Sequence, residues 1–330
     1  MRAELVAQTL VDLWPIKRPV YITGAPGGGK TSIVKQVAEK LGVRHIHKHM
    51  PTMLVEDFGI PFPSQDSQTF DYRLPEWFPK EATDPDFEGI ICLDDRGQCG
   101  PDLQKVAANI MQERELHGAS ISRGTMIVST GNRQQDRAGA NRVLTHLADR
   151  ETEIELDTML DDWCKWAIDE GIRPELISFL RFRSDLLHDF DPQRPKNPTP
   201  RSWTEGVSAI LGTVSPEAEY ECFKGAVGEG AAAEFVGYMK IWRKLPNIDN
   251  ILLHPDTVEV PTDPATLYAI SGSLADRANN GNFSKCITYF DRMPPEFSVL
   301  GVSYATRKDP SLASTKAFTQ WASGVQGILF

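Results

Sequence analysis

The chain has 330 residues, of which 41% are hydrophobic and 24% charged, and its formal net charge is −10. That length exceeds one ordinary core and predicts two or three domains. The acidic balance excludes a general nucleic-acid wrapper, because phosphate binding needs Lys and Arg to displace counterions, although it leaves room for a local basic channel. No run of about 18 uncharged apolar residues occurs, so no transmembrane helix is predicted.

The first stretch, Met1 to Pro15, carries Glu4 and Asp12 and lacks a continuous apolar run. It reads as an amphipathic helix and not as a signal peptide, which places the expected location in the cytoplasm. Cys92, Cys99, Cys164, Cys222 and Cys286 are scattered and never spaced CxxC. In a reducing compartment such cysteines act as small buried hydrophobes, not as a zinc site.

Residues 1–157 alternate strand-like apolar runs with amphipathic helices, the pattern of a parallel α/β sheet. Val20–Thr23 is a short β-rich run followed at once by glycines. Ile33, Val34, Val37, Ala38 and Leu41 then recur at helical spacing and stop at Gly42. Ile90–Leu93 and Met126–Ser129 are buried-strand runs, and the stripe Leu103, Val106, Ala107, Ile110, Met111 between them is helical. Glu151 to Asp157 alternates acids with Ile154 and Leu156, a last strand with one solvated face.

Residues 51–85 differ. Six prolines and Phe58, Phe62, Phe70, Tyr72, Trp77 and Phe78 fall here, and proline at that density forbids a regular helix or central strand. An ordered excursion with a hairpin and a cap over the sheet edge are both open. From residue 158 to 330 the pattern turns helical, with Pro174 at the expected first turn of a helix and a Pro-rich link over Asp191–Pro200.

The chemistry concentrates in Gly24-Ala25-Pro26-Gly27-Gly28-Gly29-Lys30-Thr31, continued by Ser32, which matches G-x-x-x-x-G-K-[ST] after a strand and before a helix. Glycines let backbone N–H groups curl around phosphate oxygens, and the helix start adds its positive end. Lys30 supplies a charge to the β- and γ-phosphates of a nucleoside triphosphate, and the Thr31 hydroxyl faces Mg²⁺. Ile90–Leu93 delivers Asp94 and Asp95 to a strand end, where ligands of α/β sheets bind. Asp94 is the magnesium carboxylate and Asp95 the group that polarises the attacking water. Gly131-Asn132 ends the next core strand, and the Asn132 amide can orient that water because it both donates and accepts.

Taken together, GAPGGGKTS, VEDFGIPFP, RLPEWFP, GIICLDD, ELHG, STGNRQQDR, HLADRE and TPRSW resemble the AAA+ ATPases, with the fuller match to their MoxR and dynein-related branch. The resemblance covers about Val20 to Trp203, and the later stretch DPATLYAISGSLADRANN resembles that group's helical collar. It implies an α/β nucleotide-binding domain over 1–157 and a helical lid with a C-terminal helical extension over 158–330. It implies ATP with Mg²⁺ at subunit seams of a ring, a hexamer by analogy. Arg150 would reach into the neighbouring subunit's site as an arginine finger, its alternative being an ion pair with Glu151 or Glu153. Arg201 would contact the γ-phosphate in cis, and Arg133, Arg137 and Arg142 could share either role. The choice of adenine rests on the resemblance alone. One departure stands out: the family's Asp-Glu pair is Asp94-Asp95 here. The shorter side chain sits roughly 1.5 Å further from the water, which predicts slow hydrolysis.

His45, His47 and His49 alternate on one face of an expected strand; with no acidic or Cys partner evident nearby, they read as strand lining and not as a metal site. Three functions follow. The first is a remodeller of a protein client or complex, of the chaperone kind that the resemblance implies, with a von Willebrand A domain protein as the partner type. The second is a DNA-associated loader, motor or restriction subunit. The third is an ATP-gated assembly switch, which the Asp94-Asp95 pair keeps open. No membrane partner is expected.

Overall fold

The computed structural model describes residues 1–64, 68–133, 136 and 150–324. The chain divides into two compact units, Met1–Met159 and Leu160–Phe330. Among the described residues, no helix is long and apolar enough to cross a membrane.

In the first unit the strands are β1 (Val20–Gly24), β2 (Arg44–His49), β3 (Ile60–Pro63), β4 (Phe70–Arg73), β5 (Gly89–Asp94), β6 (Glu115–Leu116), β7 (Ala119–Ser120), β8 (Thr125–Asn132) and β9 (Thr152–Leu156). Five of them form one sheet in the order β2-β5-β8-β1-β9, every neighbouring pair parallel. Parallel sheets are covered on both faces, so their strands read as continuous apolar runs. Ile90, Ile91, Cys92 and Leu93 are accordingly all 0% exposed.

Two helical layers sandwich the sheet. Helices α1 (Ala3–Leu13) and α2 (Lys30–Leu41) cover one face, packing Val6, Leu10, Val34 and Val37 on Ile22, Cys92 and Val128. Helix α3 (Pro101–Gln112) covers the other, packing Ala107 and Ile110 on Ile91, Leu93 and Ile127. Helix α2 stops at Gly42, whose left-handed φ of 68° lets its N–H reach the Ala38 and Glu39 carbonyls.

The Pro-rich segment divides between its two readings. Met50, Phe58 and Phe78 are buried with α3 against the sheet, so this part caps it. β3 and β4 instead pair antiparallel as a hairpin, with Ile60, Phe62, Phe70 and Tyr72 exposed. The Tyr72 ring stacks on His117, centroids 3.7 Å apart, from the turn of the short β6–β7 hairpin.

The second unit is built of helices joined by turns and loops, with no strand among its described residues. It contains α4 (Leu160–Asp169), α5 (Pro174–Phe182), a π-helical stretch (Ser202–Ser208), α6 (Pro216–Val227), α7 (Glu229–Trp242), α8 (Ile248–Leu253), α9 (Pro264–Asp276), α10 (Phe283–Phe290), α11 (Pro295–Lys308) and α12 (Lys316–Gly324). Proline opens α5, α6, α9 and α11, where its missing N–H costs nothing and its fixed φ suits the first turn. Trp203 is wholly buried among Phe179, Phe223 and Phe235, and its indole N–H donates to the Leu186 carbonyl at 2.6 Å. Burying each such Phe contributes about 1.5–3 kcal/mol. Trp163 is buried here and Trp166 packs beside it. The expected class, a parallel α/β sheet with a phosphate-type loop followed by a helical region, is the observed one.

Candidate functional site

The loop leaving β1 turns through two left-handed glycines, Gly27 at φ 70° and Gly29 at φ 91°, and α2 begins at Lys30. An L side chain would be strained at either position. Gly28 is fixed by space: a Cβ there would lie 2.8 Å from Thr158 Oγ1 and 3.1 Å from the Ala25 carbonyl. Ala25 is buried, Pro26 half-buried and Ser32 exposed on the first turn of α2. A left-handed glycine loop feeding a helix N-terminus is a cradle suited to phosphate.

Lys30 is 6% exposed. Its ammonium donates to the Gly24 carbonyl at 3.1 Å, the Ala25 carbonyl at 3.0 Å and Asn132 Oδ1 at 3.0 Å. The loop of β1 and the end of β8 are thereby joined through the lysine proposed to hold phosphate. Thr31 Oγ1 donates to Asp94 Oδ1 at 2.6 Å, and Thr130 Oγ1 donates to the same oxygen. Burial pushes the Asp94 carboxyl up, but hydrogen bonds from Thr130, Thr31 and His47 outweigh it and hold the group below its ordinary value. An ionised carboxylate beside a threonine hydroxyl, at the mouth of a phosphate-type loop, is a donor set that fits magnesium. Lys30, Thr31, Asp94 and Asn132 thus converge at the C-terminal edge of the sheet.

Asp95 follows in the left-handed region at φ 52°, and its N–H donates to Thr130 Oγ1 at 3.1 Å. The histidine reading needs correction, because the acidic partner absent from the local sequence comes from the neighbouring strand. β2 and β5 run in register with His49 opposite Asp94, and His47 Nε2 lies 2.9 Å from Asp94 Oδ2. His45 is half-buried; burial and the nearby His47 lower its pKa.

Sequence reasoning also missed an ion pair beneath the sheet. Arg96, 1% exposed, is held bidentate by Glu151, with NH1 to Oε2 at 2.8 Å and NH2 to Oε1 at 2.7 Å. Its guanidinium lies 4.3 Å from the centre of the Tyr21 ring, and burial pushes the Tyr21 phenol up to about 12. The only hint in the sequence was an arginine directly after an acidic strand end.

This pair removes Glu151 as the expected alternative partner of Arg150, and no Arg150–Glu153 ion pair is present among the described residues. Arg150 instead donates to Gln112 Oε1. It lines a cavity of about 590 Å³ with Lys17, Arg18, Arg114 and Arg123, next to the first residues of β1, β8 and β9, at the sheet edge opposite the loop. Arg201 lies in the second unit, immediately before the π-helical stretch, exposed and 4.0 Å from Glu205. Arg133 is occupied by Asp136 at 2.9 Å and Glu155 at 3.1 Å. Arg137 and Arg142 lie outside the described residues. All five cysteines are free thiols, four of them buried.

No protein-family model matches the chain, and no curated protein does. Among solved structures, a Cytophaga hutchinsonii protein provisionally described as an ATPase superposes with a TM-score of 0.36 at 12% identity, covering 99% of this chain and 89% of its own. NtrX of Brucella abortus in complex with ADP gives 0.35 at 11% identity, over 98% and 67% of the two chains. Similarity that loose carries nothing about activity; the chemistry rests on the side chains above.

Proposed function

We propose that this chain is a magnesium-dependent ATPase of the AAA+ type. The observation that carries the proposal is the meeting of Lys30, Asn132, Thr31 and Asp94 at one edge of a parallel sheet, beside a left-handed glycine loop. Gly24 to Thr31, with Ser32 on the helix, surround the phosphates. Lys30 exchanges its carbonyl contacts for the β- and γ-phosphates. Thr31 and Asp94 would hold magnesium, which when bound supplies positive charge against the β- and γ-phosphate oxygens. Asp95 polarises the attacking water and Asn132 orients it, their one-methylene shortfall at Asp95 making turnover slow.

Arg150 serves a neighbouring copy in a ring, hexameric by family analogy. Two features support this: Arg150 has no carboxylate partner among the described residues, and four further cations line its cavity. Arg201 acts in cis from the helical unit. Motion of that unit during turnover remodels a protein client, with the exposed β3–β4 hairpin as its contact and a von Willebrand A domain protein as the partner type. A MoxR-like role in the cytoplasm follows from the same resemblance. The test is mass determination with and without ATP, run beside Arg150→Ala. ATP-dependent assembly, with turnover lost by about 10³-fold or more and binding retained in the variant, supports action across a subunit boundary. An Arg150→Ala protein that hydrolyses ATP at the parental rate sinks it.

A second reading is favoured by Asp95, whose carboxylate lies 4.0 Å from the His49 imidazole. In this reading ATP binding gates assembly and turnover is negligible. ATP-dependent assembly without phosphate release separates it from the first.

A further inference from the structure

The two carboxyl oxygens of Asp94 face different surroundings. Oδ1 accepts from Thr31 and Thr130 on the loop side. Oδ2 faces β2, 2.9 Å from His47 Nε2 and 3.8 Å from His49 Nδ1. His49 Nδ1 is also 4.0 Å from Asp95 Oδ2, and single donor atoms of His49, Asp94 and Asp95 all lie within 4.8 Å of one another. Successive residues of a strand point to opposite faces. The left-handed turn at Asp95 breaks that alternation, so both carboxylates reach one imidazole.

We propose that the Oδ2 side of Asp94 is a second divalent-cation site, distinct from the magnesium position at Thr31. Its ligands are His49 Nδ1, Asp94 Oδ2 and Asp95 Oδ2, and its imidazole makes it prefer a first-row transition ion such as Co²⁺ or Mn²⁺ to Mg²⁺. Bond lengths of about 2.1 Å put tetrahedral ligand atoms about 3.4 Å apart, so the two His49 contacts close by roughly half an ångström and the carboxylate pair, within 4.8 Å, by up to about 1.4 Å. Imidazole suits transition ions, whereas Mg²⁺ takes oxygen donors and sheds water reluctantly. On the imidazole side, His47 and His49 line a cavity of about 400 Å³ with Thr52, Met53 and Asp57. His47 is a positioning residue, holding Asp94 in place through its hydrogen bond. The site shares Asp94 and Asp95 with the proposed ATPase machinery, but ion binding there requires no nucleotide and is measured without it.

The experiment is calorimetric titration of the nucleotide-free full chain with Mn²⁺, then with Co²⁺, for the parent, His49→Gln and His47→Asn. The parent should bind one ion that a tenfold excess of Mg²⁺ does not displace. His49→Gln should weaken binding by about 100-fold and His47→Asn by about tenfold. Pulsed EPR of the bound Mn²⁺ should show imidazole-nitrogen coupling that disappears in His49→Gln. Matched far-UV spectra and retained Mg–ATP binding would show that the variant is folded. Absence of saturable Mn²⁺ binding, indifference to His49→Gln, or displacement by equimolar Mg²⁺ would each overturn the proposal and leave the ATPase reading untouched.

Discussion

Replacing Arg96 with Met removes one half of an ion pair that has almost no water around it. The side chains of Arg96 and Glu151 are 1% and 3% exposed, with two charge-assisted hydrogen bonds at 2.7 and 2.8 Å. Solvent does not screen such a pair, and the orphaned Glu151 carboxylate would keep its desolvation cost. Breaking a buried pair from one side costs about 3–5 kcal/mol. For a unit the size of Met1–Met159, each kcal/mol lowers the melting temperature by about 2–4 °C, so Arg96→Met should melt about 6–20 °C early. The assay is thermal unfolding followed by far-UV circular dichroism. Arg96→Met combined with Glu151→Leu should recover most of the loss, because no charge is then stranded. A single-variant loss below about 1 kcal/mol, or a double variant no better than the single, would refute the reasoning. The pair also has a positional consequence. Arg96 directly follows Asp95 and Glu151 directly follows Arg150, so it ties the metal-strand end to the start of β9.

Two further substitutions follow from the loop and its carboxylates. Gly28→Ala puts a methyl 2.8 Å from Thr158 Oγ1 and 3.1 Å from the Ala25 carbonyl. It should weaken nucleotide binding at least tenfold in a fluorescent-nucleotide titration while lowering the melting temperature by no more than about 8 °C, on the order of 1–2 kcal/mol of local strain. Asp95→Glu adds the missing methylene and should raise phosphate release by tenfold or more, a barrier lowered by at least about 1.4 kcal/mol. An unchanged rate would remove Asp95 from the water-activating role.

What was legible in the sequence follows from how local each signal is. The phosphate-type loop, the Ile90–Leu93 strand and the Gly42 stop of α2 each depend on neighbours within a few residues, and each appears where it was read. Asn132 could be chosen only through its place in the series, and it meets Lys30 at 3.0 Å. Non-local pairings were invisible. The acid that completes the histidine cluster sits 47 residues from His47, brought there by strand register, and no spacing rule encodes which strands become neighbours. The same holds for Arg96 and Glu151, 55 residues apart, where a charged residue is buried against every compositional expectation. The excursion over residues 51–85 was legible as irregular, but its division into a buried cap and an exposed hairpin depends on which aromatics find the sheet.

The most direct test of the account is calorimetric titration of the purified chain with Mg–ATP, beside Lys30→Ala. Saturable binding by the parent, lost when the buried ammonium at Asn132 is removed, is the predicted result. No affinity for any magnesium nucleotide, or equal affinity in Lys30→Ala, would contradict it.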